Sequence, residues 1–366
     1  MNELTYILGA GASYYSFPLV KTFSDRFNYF LKITKYRTSV HNKSFLSALE
    51  NFSNEIKVHQ SFDTYFKKLF HLGNEYDILE AKKILNFYFL WEQLEFPKNS
   101  PHYSAVTDSQ GNDMQYPEHA NSFKKEALID SRYDALIAGL LKPIKGKSEF
   151  FTKVNFISWN YDLNLLSSIK NFLSPVERLN EFLLKKITKE NGNIWEFEND
   201  LRIINMNGFF FSKFFDNLKK FDLENVFKIK DKLYERKDTF SFDKDIDVDD
   251  AKKINFGWED LNTKIDLIEN ASNAIRNSKS VIVIGYTFPS YNRYIDAKYF
   301  TPSTLAGKDI FVQDPRADEI VDFLQSEFDM DEPYKAKLIN ERLRPKFYTK
   351  KNCDSFFIPN NIISKI

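Results

Sequence analysis

Short apolar runs that end in glycine or in polar residues punctuate this chain, and most of them lead into stretches with helical spacing. Leu4 to Leu8 runs into Gly9-Ala10-Gly11-Ala12-Ser13. Val154 to Ser158 ends in Trp159-Asn160-Tyr161-Asp162, with a helical pattern from Leu163. Arg202 to Met206 ends in Asn207-Gly208, Ser280 to Ile284 in Gly285-Tyr286-Thr287-Phe288-Pro289, and Asp309 to Gln313 in Asp314-Pro315. Such runs, bounded by turn residues, read as buried strands. Between them the apolar period changes to that of helices. One long helix is expected after Ser13, with Phe23, Phe27 and Phe30 along a face, and others over 77–94, 175–193, 265–278, 318–327 and 333–343. Residues 99–118, rich in Pro, Ser, Asp, Gly and Asn, read as a loop. The predicted fold is α/β, with a Rossmann-like, mainly parallel sheet. It forms one domain over 1–366, interrupted by large helical insertions at about 36–150 and 209–262.

Composition narrows the function classes. Lys plus Arg and Asp plus Glu are equal at 51 each, so no whole-chain field attracts nucleic acid or an anionic membrane. No apolar run approaches the roughly 20 residues of a bilayer span, and no signal-peptide pattern opens the chain. A single cysteine, Cys353, excludes an internal disulfide framework and suits a reducing cytoplasm. It also excludes the paired Cys-x-x-Cys ligands of a zinc ribbon. The five histidines show no metal spacing, and the acidic run Asp243 to Asp250 lacks the glycine and glutamate of a calcium loop. No metal is expected.

In an open α/β sheet, ligands bind beyond the carboxyl ends of the strands, where these glycines and polar residues fall. Gly9 and Gly11 carry no Cβ and can adopt positive φ, so backbone N–H groups there can approach a pyrophosphate at a helix start. The dinucleotide fingerprint wants a third glycine where Tyr14 stands, which weighs against a redox Rossmann enzyme. Ser13 lacks the Gly-x-Ser-x-Gly setting of a nucleophile and suits a phosphate contact or a helix cap. Asp314 sits at a strand end where a ribose commonly meets a carboxylate, with a Pro315 turn as the plain alternative.

In their order these blocks resemble the sirtuin superfamily, specifically the sirtuin-like domains of bacterial anti-phage defence proteins. The matching blocks are Gly9 to Ser13 with Pro18, Asn160 to Asp162, Asn207-Gly208, and Gly285 to Phe288. These blocks comprise 15 of the 366 residues. The resemblance implies a cytoplasmic NAD glycohydrolase that depletes an infected cell, with NAD as substrate. It implies control by homo-oligomerisation or by a sensor protein encoded nearby, without direct binding to nucleic acid or membrane. Asn160, Asp162 and Asn207 are then the catalytic candidates. Gly9, Ala10, Gly11, Ala12, Ser13, Pro18, Asp63, Gly208, Gly285, Tyr286, Phe288 and Asp314 are the NAD-binding candidates. Asp63 enters because relatives often carry an acidic residue on a comparable helix; a helix N-cap is its rival reading. The chain departs from the family at Asn207, where the resemblance expects a catalytic histidine. All five histidines lie upstream of Asn160. Asparagine cannot accept a proton near neutral pH, so a carboxylate, Asp162 or Asp63, must activate water, or the protein is a non-catalytic NAD or ADP-ribose scaffold.

Overall fold

The computed structural model describes residues 3–37, 43–59, 61–94, 126–145, 149–173, 183–186, 194–197, 200–208, 251–252, 254–259, 264–329 and 344–360. Strands β1 (Glu3–Leu8), β2 (Val154–Ser158), β3 (Leu183–Lys186), β4 (Ile194–Phe197), β5 (Leu201–Asn205), β6 (Ser278–Ile284), β7 (Asp309–Gln313) and β8 (Lys346–Lys350) form one sheet. Its order is β3-β4-β5-β2-β1-β6-β7-β8. The six strands from β5 to β8 run parallel, and β4 and β3 add an antiparallel edge. This is a Rossmann-like α/β fold with helical insertions. From β1 the chain fills one side of the sheet, then returns to build β6, β7 and β8 on the other. The gap between β1 and β6 is therefore the topological switch point, where an open sheet forms its crevice.

Side-chain alternation divides the core by face. Leu4, Tyr6 and Leu8 of β1, Phe156 of β2 and Ile282 and Ile284 of β6 pack on one side. Against them lie α1 (Val20–Arg37), α2 (Lys43–Lys57), α3 (Phe62–His71), α4 (Glu75–Leu94), α5 (Ser131–Leu140) and α6 (Asn164–Leu173). Ile7, Ile157, Ile204, Val281, Val283, Ile310 and Val312 face the other way. That side is covered by α7 (Ile265–Asn277), α8 (Arg293–Tyr299), α9 (Pro302–Leu305) and α10 (Ala317–Asp329). The aromatic residues of α4 are core: Tyr88 and Trp91 pack against Phe30 of α1. Arg26 of α1 and Glu92 of α4 form a buried ion pair at 2.9 Å, with the guanidinium over the rings of Tyr29 and Trp91.

Two expectations need correction. The helix expected over 175–193 gives way, in its described part, to β3, whose backbone pairs with β4. A four-residue run carries no decisive period, and the free edge of β4 supplies backbone partners that a helix does not need. The strands β4 and β8 were not foreseen either. β8 reads Lys-Phe-Tyr-Thr-Lys, the lysine-flanked composition of a solvated edge strand rather than a buried one. The expected loop at 99–118, the acidic run at 243–250, the helix at 333–343 and almost all of the 209–262 insertion lie outside the described residues.

Candidate active site at the sheet switch point

Beyond Leu8 the chain turns directly into a short 3-10 helix, Ala10–Ser13. The glycines there have a different task from the one expected. Gly9 is extended rather than positive in φ, and the Gly9 and Gly11 N–H groups donate to the carbonyls of Ile284 and Gly285 at 3.0 Å. Neither amide is left for a phosphate. A Cβ on Gly9 would lie 2.5 Å from the Gly285 carbonyl oxygen, and Gly285, at φ +59°, would place one 2.4 Å from Ala12 N. The missing side chains let the β1 and β6 loops meet backbone to backbone, which closes the floor of the crevice.

A cavity of about 130 Å³ opens on these loops, room for about four waters or for a single aromatic ring. Its walls are aromatic: Phe17, Phe23, Phe62, Phe89, Trp159, Tyr161, Tyr286 and Tyr291. Its polar lining includes Asp63, Asn160, Asp162, Asn207, Thr287 and Asn292, and among the described residues it holds no lysine, arginine or histidine. Of the sequence-derived candidates, Ala10, Pro18, Asp63, Asn160, Asp162, Asn207, Gly285 and Tyr286 line it.

The strand ends aim the polar groups. Asn160 follows β2, and its amide nitrogen donates to the hydroxyls of Ser13 at 3.2 Å and Tyr133 at 3.4 Å. Ser13 and Tyr133 are themselves joined at 3.0 Å, so Ser13 serves this network and not a helix cap. Asn207 follows β5. Its backbone N–H donates to Asn205 Oδ1, and its side-chain nitrogen donates to the Trp159 carbonyl at 2.7 Å. That carbonyl can only accept, so the Asn207 amide oxygen faces away from it. The side-chain oxygens of Asn160 and Asn207 and the hydroxyl of Tyr161 are all buried without a hydrogen-bond partner among the described residues. Three orphaned polar atoms around one cavity call for a ligand or waters to complete them.

The two carboxyls differ. Asp162 Oδ1 accepts from the Asn164 backbone N–H at 3.0 Å and from its side-chain amide at 2.5 Å. Burial raises its pKa, hydrogen bonds from Ser13 and Asn164 oppose the rise, and nearby Asp130 adds to it. Asp63 stands in the first turn of α3, but Ser61 caps that helix, accepting from Thr64 N. Asp63 is thus released from capping. Burial raises its pKa to about 7, opposed only by a bond from its own backbone N–H. Burial, and secondarily the Asp63 charge, raise the pKa of the Tyr161 and Tyr291 hydroxyls.

The other candidates lie outside the cavity lining. Gly208 forms a positive-φ turn after Asn207. Phe288 is buried between Tyr286 and Phe300 and packs in the core. Asp314 accepts from Arg316 N at the start of α10, the turn role weighed against a ribose contact. Sequence reasoning missed Trp159, Tyr161, Tyr291 and Asn292 in the lining. It also missed Arg132, which pairs with Asp130 and donates to the carbonyls of Ala12 and Cys353, tying the β1 loop to the C-terminal segment. No protein-family model matches the chain, and no curated protein matches it in sequence.

Proposed function

We propose that this cavity hydrolyses the N-glycosidic bond of NAD, releasing nicotinamide and ADP-ribose, with Asp63 in the role that the resemblance gives to a histidine. One observation carries the reading: a protonatable carboxyl with a pKa near 7 stands in an aromatic cavity beside three buried polar atoms that lack partners. A nicotinamide ring attached to ribose is a cationic pyridinium. Aromatic faces and carboxylates stabilise such a ring, and basic side chains would repel it.

The chemistry balances with a single base. Ionised Asp63 takes a proton from water, and the water oxygen bonds to the ribose carbon. The carbon–nitrogen bond breaks, and its electron pair neutralises the pyridinium. The leaving group departs uncharged, so no general acid is needed and the absence of histidine from the described lining is no obstacle. Positive charge that spreads onto the ribose in the transition state is stabilised by the Asp162 carboxyl, whose hydrogen bonds from Ser13 and Asn164 favour its charged form against the cost of burial. The Asn160 and Asn207 oxygens accept from ribose hydroxyls, and Asn160 is held for this by Ser13 and Tyr133. The role as an effector in anti-phage defence, governed by self-assembly or a partner, rests on the four motif blocks.

The test is chromatographic detection of nicotinamide after incubating NAD with the purified protein, alone and with the product of a neighbouring gene. Release that disappears in Asn160→Ala supports the assignment. Binding of NAD without release under every condition refutes hydrolysis and leaves a nucleotide-binding scaffold.

A further inference from the structure

Asp296 lies on α8, outside the cavity lining, and is almost fully buried. Its carboxylate accepts from the Tyr286 hydroxyl at 2.9 and 3.0 Å and from the Tyr299 hydroxyl at 2.9 Å. Each hydroxyl accepts in turn: Tyr299 from Trp159 Nε1 at 3.0 Å, and Tyr286 from the Asn292 amide at 3.2 Å. The Trp159 and Tyr286 rings are stacked, with centroids 5.4 Å apart and planes at 6°. The network therefore closes a ring from the end of β2, through α8, to the loop after β6. Trp159 is also fixed from its far edge, where a Cβ on Gly257 would lie 2.6 Å from the indole and 2.9 Å from Asn292 Oδ1.

Burying a carboxylate, two phenols and an indole N–H is costly unless every donor finds an acceptor. A core that needed only bulk here could use phenylalanine at these positions. The hydroxyls instead set the rotation of two rings that line the cavity on opposite sides of the switch point. We infer that Asp296 is a positioning residue, which locks the Trp159–Tyr286 stack as the rigid wall against which the ligand is placed. The inference rests on the proposed function only for the identity of that ligand.

Tyr299→Phe removes the hydroxyl that links Trp159 to Asp296 while keeping the ring. Gly257→Ala pushes on Trp159 from the other edge, and on Asn292 Oδ1, while leaving the Trp159–Tyr299–Asp296 hydrogen bonds in place. Two readouts apply to both variants: the Trp159 part of the fluorescence, taken as the difference from a Trp159→Phe protein, and calorimetric binding of a carbocyclic NAD analogue that lacks the cleavable bond. The expected result is a shifted Trp159 emission with binding weakened about tenfold, the equivalent of one buried donor left unpaired. In turnover, KM rises while kcat stays within about twofold, because the wall binds ground state and transition state alike. Unchanged emission and binding in both variants would overturn the positioning role. So would losses that follow thermal stability alone and are restored on cooling. The emission shift requires no ligand, so it still tests the network if the wild-type protein does not bind NAD, a result that would refute the proposed function by itself.

Discussion

Replacing Asp63 by asparagine should make the protein more stable at alkaline pH while removing its activity. The carboxyl has a pKa of about 7 in the folded protein against an ordinary 3.8. A native-state acid with a raised pKa binds its proton more tightly than the unfolded chain does. Its stabilising effect is therefore greatest at low pH and is lost as pH rises from about 4 to about 7. Above pH 7 the native state carries a buried carboxylate with little compensation. The shift of about 3 units corresponds to roughly 4 kcal/mol, an upper estimate because water penetration relaxes buried charges. Asparagine has the same shape and no charge. Urea unfolding at pH 8 should therefore show Asp63→Asn more stable than wild type by about 2–4 kcal/mol, a difference that shrinks to about 1–1.5 kcal/mol at pH 5 and vanishes below about pH 4. Asp296 is also raised to about 7, but it is present in both proteins and cancels in the comparison. A variant that is no more stable than wild type at pH 8, or a difference independent of pH, would refute the claim that Asp63 is buried without compensation.

Other substitutions test the scaffold and the site separately. Gly285→Ala should destabilise by at least about 2–3 kcal/mol or prevent soluble expression, because φ is +59° and a Cβ would strike Ala12 N; thermal unfolding and expression yield measure this. Arg26→Met or Glu92→Leu alone should cost about 3–5 kcal/mol by leaving a buried charge, whereas the double variant should be near neutral in urea unfolding. Asn160→Ala should lower nicotinamide release at least about 100-fold while costing only about 1 kcal/mol of stability, so that a folded, inactive protein results.

Five of the six parallel strands, β1, β2, β5, β6 and β7, were legible because they are apolar runs that stop at glycine or polar residues. The helices α4, α7 and α10 carried clear apolar periods. The strands that escaped are the two edge strands β3 and β8 and β4 beside β3, elements of four or five residues whose period is too short to decide. The site was legible in part for the same reason that the sheet was: strand ends converge at a switch point, so Asn160, Asp162, Asn207 and Gly285 come together. What the sequence concealed was the state of each group. Gly9 and Gly11 looked like phosphate binders, yet their N–H groups are spent on the β6 loop. Asp63 looked as much like an N-cap as a site residue until Ser61 took the cap. The spacing of Ser61 and Thr64 was the available signal. Trp159 and Tyr286 are far apart in sequence, and no local pattern announces that they stack.

The most direct test is the rate of nicotinamide release from NAD between pH 5 and pH 9, for wild type and Asp63→Asn. The account predicts a rate that climbs as pH rises through about 7, where Asp63 ionises, and a variant that binds NAD but releases almost nothing at any pH. Release that persists in Asp63→Asn with an unchanged pH profile would contradict it.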